Sequence, residues 1–194
     1  MGLVFRRVVA ALLAFVFVGP GCKKDEPAAV VEATVSAPLS LGTLKTEAPI
    51  LMPTGQPSSA LAVSPDGKLA AVGFGEGPVA LVSLEGGAGK TVMLDGHTEA
   101  ALEAEFSKDG RILATAGSDN RLLIWDVSHP EKRPVVDVLA HNGDVKSLAI
   151  SPDGKRVATG SVDEDVYVWD AATGKQQHHF RGHESSVYAL CFSE

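Results

Sequence analysis

The chain has 194 residues, 45% hydrophobic and 21% charged, a globular composition that excludes a wholly disordered polypeptide. Its formal charge of −7, from 17 basic and 24 acidic side chains, argues against an electrostatic nucleic-acid binder, which needs a basic face. Two cysteines cannot build a disulfide framework, and 20 glycines with 11 prolines point to a fold rich in turns.

Residues 1–22 read as an export signal. Arg6 and Arg7 give a positive start, and residues 8–18 (VVAALLAFVFV) form an uninterrupted apolar run of 11. That is the size of a signal-peptide core and short of the roughly 20 residues a spanning helix needs. The run leads into Gly19, Pro20, Gly21 and Cys22. This resembles a bacterial lipoprotein signal, in which a small residue precedes the cysteine that becomes lipidated, although Gly19 stands where that pattern has a leucine-like residue. The resemblance implies removal of residues 1–21 and lipid on Cys22. Lys23 after the cysteine then implies sorting to the outer membrane, facing the periplasm. Cleavage by a general signal peptidase and an uncleaved anchor are the alternatives. Residues 22–48, rich in Ala, Pro, Thr, Ser and Glu without a sustained period, read as a flexible tether.

From residue 49 onward the chain repeats itself. SPDG occurs at Ser64, SKDG at Ser107 and SPDG again at Ser151, offsets of 43 and 44, and Ser193 begins a further copy. Gly96-His97, Ala140-His141 and Gly182-His183 keep the same beat, as do Trp125-Asp126 and Trp169-Asp170. Each copy holds four short apolar runs. In the third they are Val145, Leu148 and Ile150, then 156–159, 165–169 and 177–180. Asp-Gly marks the first turn, where a tight hairpin needs positive φ. Four short strands per repeat of about 43 residues are one blade of a β-propeller. The predicted blades span about 54–95, 96–139 and 140–181, with the first strand of a fourth in 182–194.

The GH, SPDG and WD signatures at this spacing resemble the WD-repeat propellers, over about residues 50–194. The resemblance implies a buried network in each blade: the GH histidine, a hydroxyl on the second strand, an Asp in the following turn and the Trp of the third strand. Counting back from each Trp gives His97, Thr115, Asp119 and Trp125 in the second repeat, and His141, Thr159, Asp163 and Trp169 in the third. The carboxylate would fix the imidazole tautomer, the ring would accept from the hydroxyl, and the hydroxyl would accept the indole N–H. The first repeat departs from this pattern, with Thr54, Val72, Glu76 and Val82 at the aligned places.

A hydroxyl, a base and an orienting acid also make up a nucleophile arrangement. Here the set recurs with each structural unit, for which catalysis gives no reason, so it reads as structural. His178, His179 and His183 lie close in sequence, but adjacent strand residues point to opposite faces and His183 is the GH histidine, so no metal site is assigned. The Asp163-Glu164-Asp165 run lacks the spacing of a calcium loop. The Gly73, Gly75 and Gly77 alternation reads as a hairpin turn rather than a phosphate loop. Cys191, in the first strand of the last copy, is expected to be a buried inert thiol.

Taken together, the residues predict an all-β partial propeller. The chain is expected to be the N-terminal part of a longer ring, because an open arc exposes blade faces and edges, with self-assembly of copies as the alternative. The expected function is a non-enzymatic, exported and lipid-anchored scaffold that binds protein partners through its loops, with no cofactor and no nucleic acid. The alternative is a propeller enzyme or ligand binder acting at the central channel. For that role only Glu103 and Glu105, on the first strand of the second blade, present themselves.

Overall fold

The computed structural model describes residues 58–85 and 90–193; the signal, Cys22, the tether and Thr54 lie outside the described residues. Among those residues the structure is all-β. Its strands are β1 (Ser58–Val63), β2 (Leu69–Phe74), β3 (Val79–Ser83), β4 (Thr91–Leu94), β5 (Ala101–Phe106), β6 (Ile112–Gly117), β7 (Arg121–Asp126), β8 (Val136–Leu139), β9 (Val145–Ile150), β10 (Arg156–Ser161), β11 (Val166–Asp170) and β12 (Gln176–Phe180). They form three four-stranded sheets in the orders β1-β2-β3-β4, β5-β6-β7-β8 and β9-β10-β11-β12, with every neighbouring pair antiparallel. These are the three predicted blades, with strand ends within two residues of the expected runs.

The SPDG motif shapes the first hairpin of every blade in the same way. In the second, Ser107 Oγ donates to Asp109 Oδ1 at 2.7 Å and accepts from Ile112 N at 3.1 Å, while Arg111 N donates to Asp109 Oδ1 at 3.1 Å. The serines at 64 and 151 repeat these bonds with Asp66 and Asp153. The motif glycines take φ of 72°, 70° and 69°, the left-handed region where a Cβ is costly.

The blades stack face to face. Leu69, Ala71, Val79 and Leu81 of the first blade pack on Phe106, Leu113, Leu123 and Trp125 of the second. Ala114, Ala116, Leu122 and Ile124 of the second pack on Leu148, Ile150, Val157 and Trp169 of the third. The middle blade is thus buried on both faces, which is why β7 reads LLIW without a polar alternate. The outward face of the first blade is different. Leu61 and Val63 are 67% and 54% exposed, although Leu148, aligned with Leu61, and Phe106 and Ile150, aligned with Val63, lie in seam cores.

Two expectations are corrected here. Residues 182–193 form no strand. Among the described residues no strand pairs with them, and a lone extended segment has no ladder to join. The segment still docks where β5 and β9 dock in earlier blades. Val187, aligned with the buried Ala101 and Val145, is 6% exposed, donates its N–H to Ser161 O at 3.0 Å and accepts from Ser147 Oγ at 2.9 Å. Cys191, expected to be buried, is an exposed free thiol, because no described blade lies over that side of the segment.

Candidate functional site: the networks at the blade seams

The second and third blades each carry one complete polar network facing the preceding blade. His97 follows β4 and reaches Thr115 on β6, Asp119 in the β6–β7 turn and Trp125 on β7. Trp125 Nε1 donates to Thr115 Oγ1 at 3.0 Å, and His97 Nε2 lies 2.9 Å from the same oxygen. The indole can only donate, so the hydroxyl accepts from it and spends its own proton on Nε2. His97 Nδ1 therefore carries the ring proton and donates it to Asp119, at 3.0 and 2.9 Å from the two carboxylate oxygens. The third blade repeats the arrangement. Trp169 Nε1 is 2.9 Å and His141 Nε2 2.8 Å from Thr159 Oγ1, and His141 Nδ1 is 3.0 Å from both oxygens of Asp163.

The structure adds a role for the acids that spacing alone did not show. Asp119 also accepts from Thr98 N at 3.0 Å and Arg121 N at 3.2 Å, so it ties the incoming loop to its own hairpin. Asp163 does the same with Asn142 N and Asp165 N. In both turns the next residue, Asn120 or Glu164, is left-handed, with φ of 64° and 71°. A signal existed in the DN dipeptide, which favours such a turn. Gly96 of the GH pair is required by packing, since a Cβ there would lie 2.7 Å from Leu123 Cδ1 and 3.0 Å from Trp125 Cη2.

Electrostatics follow from burial. The side chains of His97 and His141 are fully enclosed, those of Asp119 and Asp163 3% and 12% exposed. Burial pushes both carboxyls up. For Asp119, His97 and the two N–H donors outweigh it, and for Asp163 the N–H donors and His141 do so, and both stay below the usual carboxylate value. Burial lowers the His141 imidazole below its ordinary value against the opposing pull of Asp163. Thr115 and Thr159 are 0% exposed, so no substrate atom can approach either hydroxyl in this conformation. Among the described residues no buried side-chain nitrogen or oxygen lacks a partner.

In the first blade the aligned Val72 is half-buried and Val82 buried, in a small apolar cluster with Phe74 and Ala80, while Glu76 is exposed. The neighbouring histidines separate. His179 stacks on Tyr167 and lies 2.9 Å from Asp165, His178 stacks on Phe180, and His183 is exposed. Glu103 and Glu105 are half-buried on β5. A groove of about 520 Å³, unremarked by the sequence, lies between the end of β4 and the β7–β8 loop, where Met93, Gly96, Pro130, Lys132, Arg133 and Pro134 line it together with acidic side chains.

Comparison with known proteins agrees with this architecture. The family described as "WD domain, G-beta repeat" matches residues 89–126, 133–170 and 174–194, half of the chain. "Transcription factor unc-37" of Caenorhabditis elegans is 31% identical over 153 residues, covering 78% of this chain and 24% of that protein. "WD repeat-containing protein SL1-17" of Schistosoma mansoni is 39% identical over 67 residues, covering 34% of this chain and 22% of that protein. The chain thus spans about a quarter of the length of these curated relatives. The solved "Structure of U3-55K" superposes with a TM-score of 0.67 at 22% identity, over 74% of this chain and 45% of that one. The "Crystal structure of RRP9 WD40 repeats" superposes with a TM-score of 0.66 at 23% identity, over 74% and 44%. With the repeat signatures, the four-stranded blades and these matches in agreement, the chain belongs to the WD-repeat family.

Proposed function

We propose that this protein is a non-enzymatic scaffold that holds another protein against its blade loops and outer strands, and that it does so from the cell envelope, tethered by lipid on Cys22. The observation that carries the scaffold reading is the pair of seam networks. Each has the parts of a nucleophile, base and acid, but both are sealed, all their polar atoms are mutually engaged, and the second copies the first. Groups so committed rigidify the frame and leave recognition to the exposed, non-repeating segments. The β7–β8 loop, which walls the groove beside β4, departs from the repeat, since the matching β11–β12 connection is a short turn closed at Gly174. The tether and anchor rest on the charged start, apolar run and cysteine of residues 1–22.

Two measurements test this reading. A photo-crosslinker at Lys132, compared with one at Lys68 on the SPDG turn, should give a discrete protein adduct in intact cells at the first position only. Equal labelling at both, or none, would count against the groove face as the docking surface. Mass spectrometry of the exported protein should find Cys22 as a lipid-modified N-terminus, and an unmodified Cys22 would remove the anchor.

A further inference from the structure

The first strands of neighbouring blades, β5 and β9, are the inner edge strands of their sheets, and an edge strand leaves alternate N–H groups without a ladder partner. In the third blade Ser151 N donates to Arg156 O, which makes Ser151 and Arg156 a bonded pair. Ile150 and Val157, one step along, are then a non-bonded pair, and the Ile150 N–H points out of the sheet. It does not go unused. Glu105, reaching across from the second blade, accepts it through Oε2 at 3.2 Å.

This contact does not belong to the repeat. The residues aligned with Glu105 are Ala62, Ala149 and Cys191, so no other copy can make it. Its surroundings are short of positive charge. Of the strands packed against β5, β1 (SSALAV), β2 (LAAVGF) and β6 (ILATAG) carry no titratable group. β9 carries only Lys146, whose Nζ is 2.8 Å from Asp144. The remaining neighbour is Glu103 on the same strand, two residues away and so on the same face.

We propose that Glu105 is a proton-sensitive clamp between the second and third blades, gripping the free inner-edge N–H of Ile150 and changing the strength of that seam as its carboxyl gains or loses a proton. Ionisation strengthens the hydrogen bond to the amide, because a charged acceptor is the better one. It also leaves a half-buried negative charge beside a second acid, and none of the described strands packed against β5 offers either of them a cation. Burial, followed by the Glu103 charge, accordingly pushes the Glu105 carboxyl above its ordinary value against the lowering effect of the Ile150 N–H, and burial raises Glu103 as well. A carboxyl raised on folding stabilises the fold below the ordinary glutamate value, and that contribution is lost as pH rises through the folded value. The seam is therefore tighter in acid and relaxed at neutral pH.

The Ile150 amide proton reports the clamp directly in NMR spectra of the uniformly ¹⁵N-labelled full chain. It should shift with pH along a single titration whose midpoint lies above 4.5. In Glu103→Gln the midpoint should move down, and in Glu105→Gln, which keeps an acceptor oxygen, the titration should vanish. Glu105→Gln should also melt at or above the wild-type temperature at pH 7, by up to a few °C, and show no such gain at pH 4. An Ile150 amide that does not titrate, or one that titrates unchanged in Glu105→Gln, would overturn the proposal. A fall in melting temperature of Glu105→Gln at pH 7 would do so too, because the charge would then be holding the seam rather than loosening it.

Discussion

The first blade and the second are the same fold with different fastenings. Both have four antiparallel strands in the same order, and both turn their first hairpin on a Ser–Asp–Gly unit with matching hydrogen bonds. Only the second carries the His-Thr-Asp-Trp network. Where the second places Thr115 and Trp125, the first places Val72 and Val82. The comparison separates two jobs that a repeat consensus merges. The hairpin unit makes a blade, because it satisfies the backbone where β-strands reverse. The network fastens the incoming loop to a blade on the face that meets the preceding one, and an apolar pair can occupy the same positions when that fastening is absent.

The largest test of this division is removal of the indole. Trp125→Ala and Trp169→Ala should each cost about 3–5 kcal/mol, from lost packing and from a threonine hydroxyl left without its donor. Val82→Ala, at the aligned site in the first blade and equally buried, should cost distinctly less because it removes fewer buried atoms and no hydrogen bond. Urea unfolding would measure all three. Similar losses for Val82→Ala and Trp125→Ala would mean that neither the larger buried side chain nor the network adds stability at that place.

Next in size are the acids. Asp119→Ala and Asp163→Ala should each cost about 1–3 kcal/mol, since each strips a buried imidazole N–H and two backbone N–H groups of their acceptor. Glu76→Ala, at the aligned but exposed position, should change stability by less than about 0.5 kcal/mol. The two aspartate losses should be alike, because the geometries are alike. If one variant melted normally but lost an activity while the other was silent, the networks would not be equivalent, and a catalytic role would return for one of them.

Smaller again is the hairpin unit. Ser64→Ala, Ser107→Ala and Ser151→Ala should each cost about 1 kcal/mol, through the N–H of the residue five positions on that loses its acceptor. Here the prediction is equality across all three blades, the first included. A first-blade serine that proved silent would show that this blade depends on something other than its turn.

Most of this was legible in the sequence because it recurs. SPDG, GH and WD at a fixed period name the strands and turns, and the resemblance to the WD-repeat propellers that they carry implies all eight network residues. What did not recur was not legible. Glu105 meets Ile150 across 45 residues of chain, and the repeat period, which aligns Glu105 with Ala62, Ala149 and Cys191, offers no hint of it. The exposure of Cys191 runs against the general expectation of a buried thiol, and of the aligned Ala62, Glu105 and Ala149 only Ala149 is buried, so alignment gave no firm guide. The groove beside β4 depends on the path of a loop that no periodicity describes. The second role of Asp119 lay hidden for another reason: the same carboxylate serves the network and its own turn, and a motif reading assigns one role to each residue.

The smallest expected effect lies in the pH dependence of the networked blades, and it concerns a single proton at His141. Burial holds its imidazole below the ordinary histidine value, while Asp163 pulls the other way. A histidine lowered on folding is protonated first in the unfolded chain. Its contribution to stability is therefore fully present above about 6.5 and is lost as pH falls through the folded value. The ¹⁵N shifts of the His141 ring should show a neutral Nδ1–H tautomer and a midpoint below 6.5. Asp163→Asn keeps an oxygen for that N–H but removes the opposing charge, so it should carry the midpoint lower still. A wild-type midpoint at or above 6.5 would mean that the Asp163 charge outweighs burial. The network would then be an ion pair rather than a neutral relay, and acid would no longer weaken the third blade through this residue. The first blade has no imidazole at this place in its sequence, only Thr54, so the contribution belongs to a fastened blade and is a property the hairpin unit alone cannot confer.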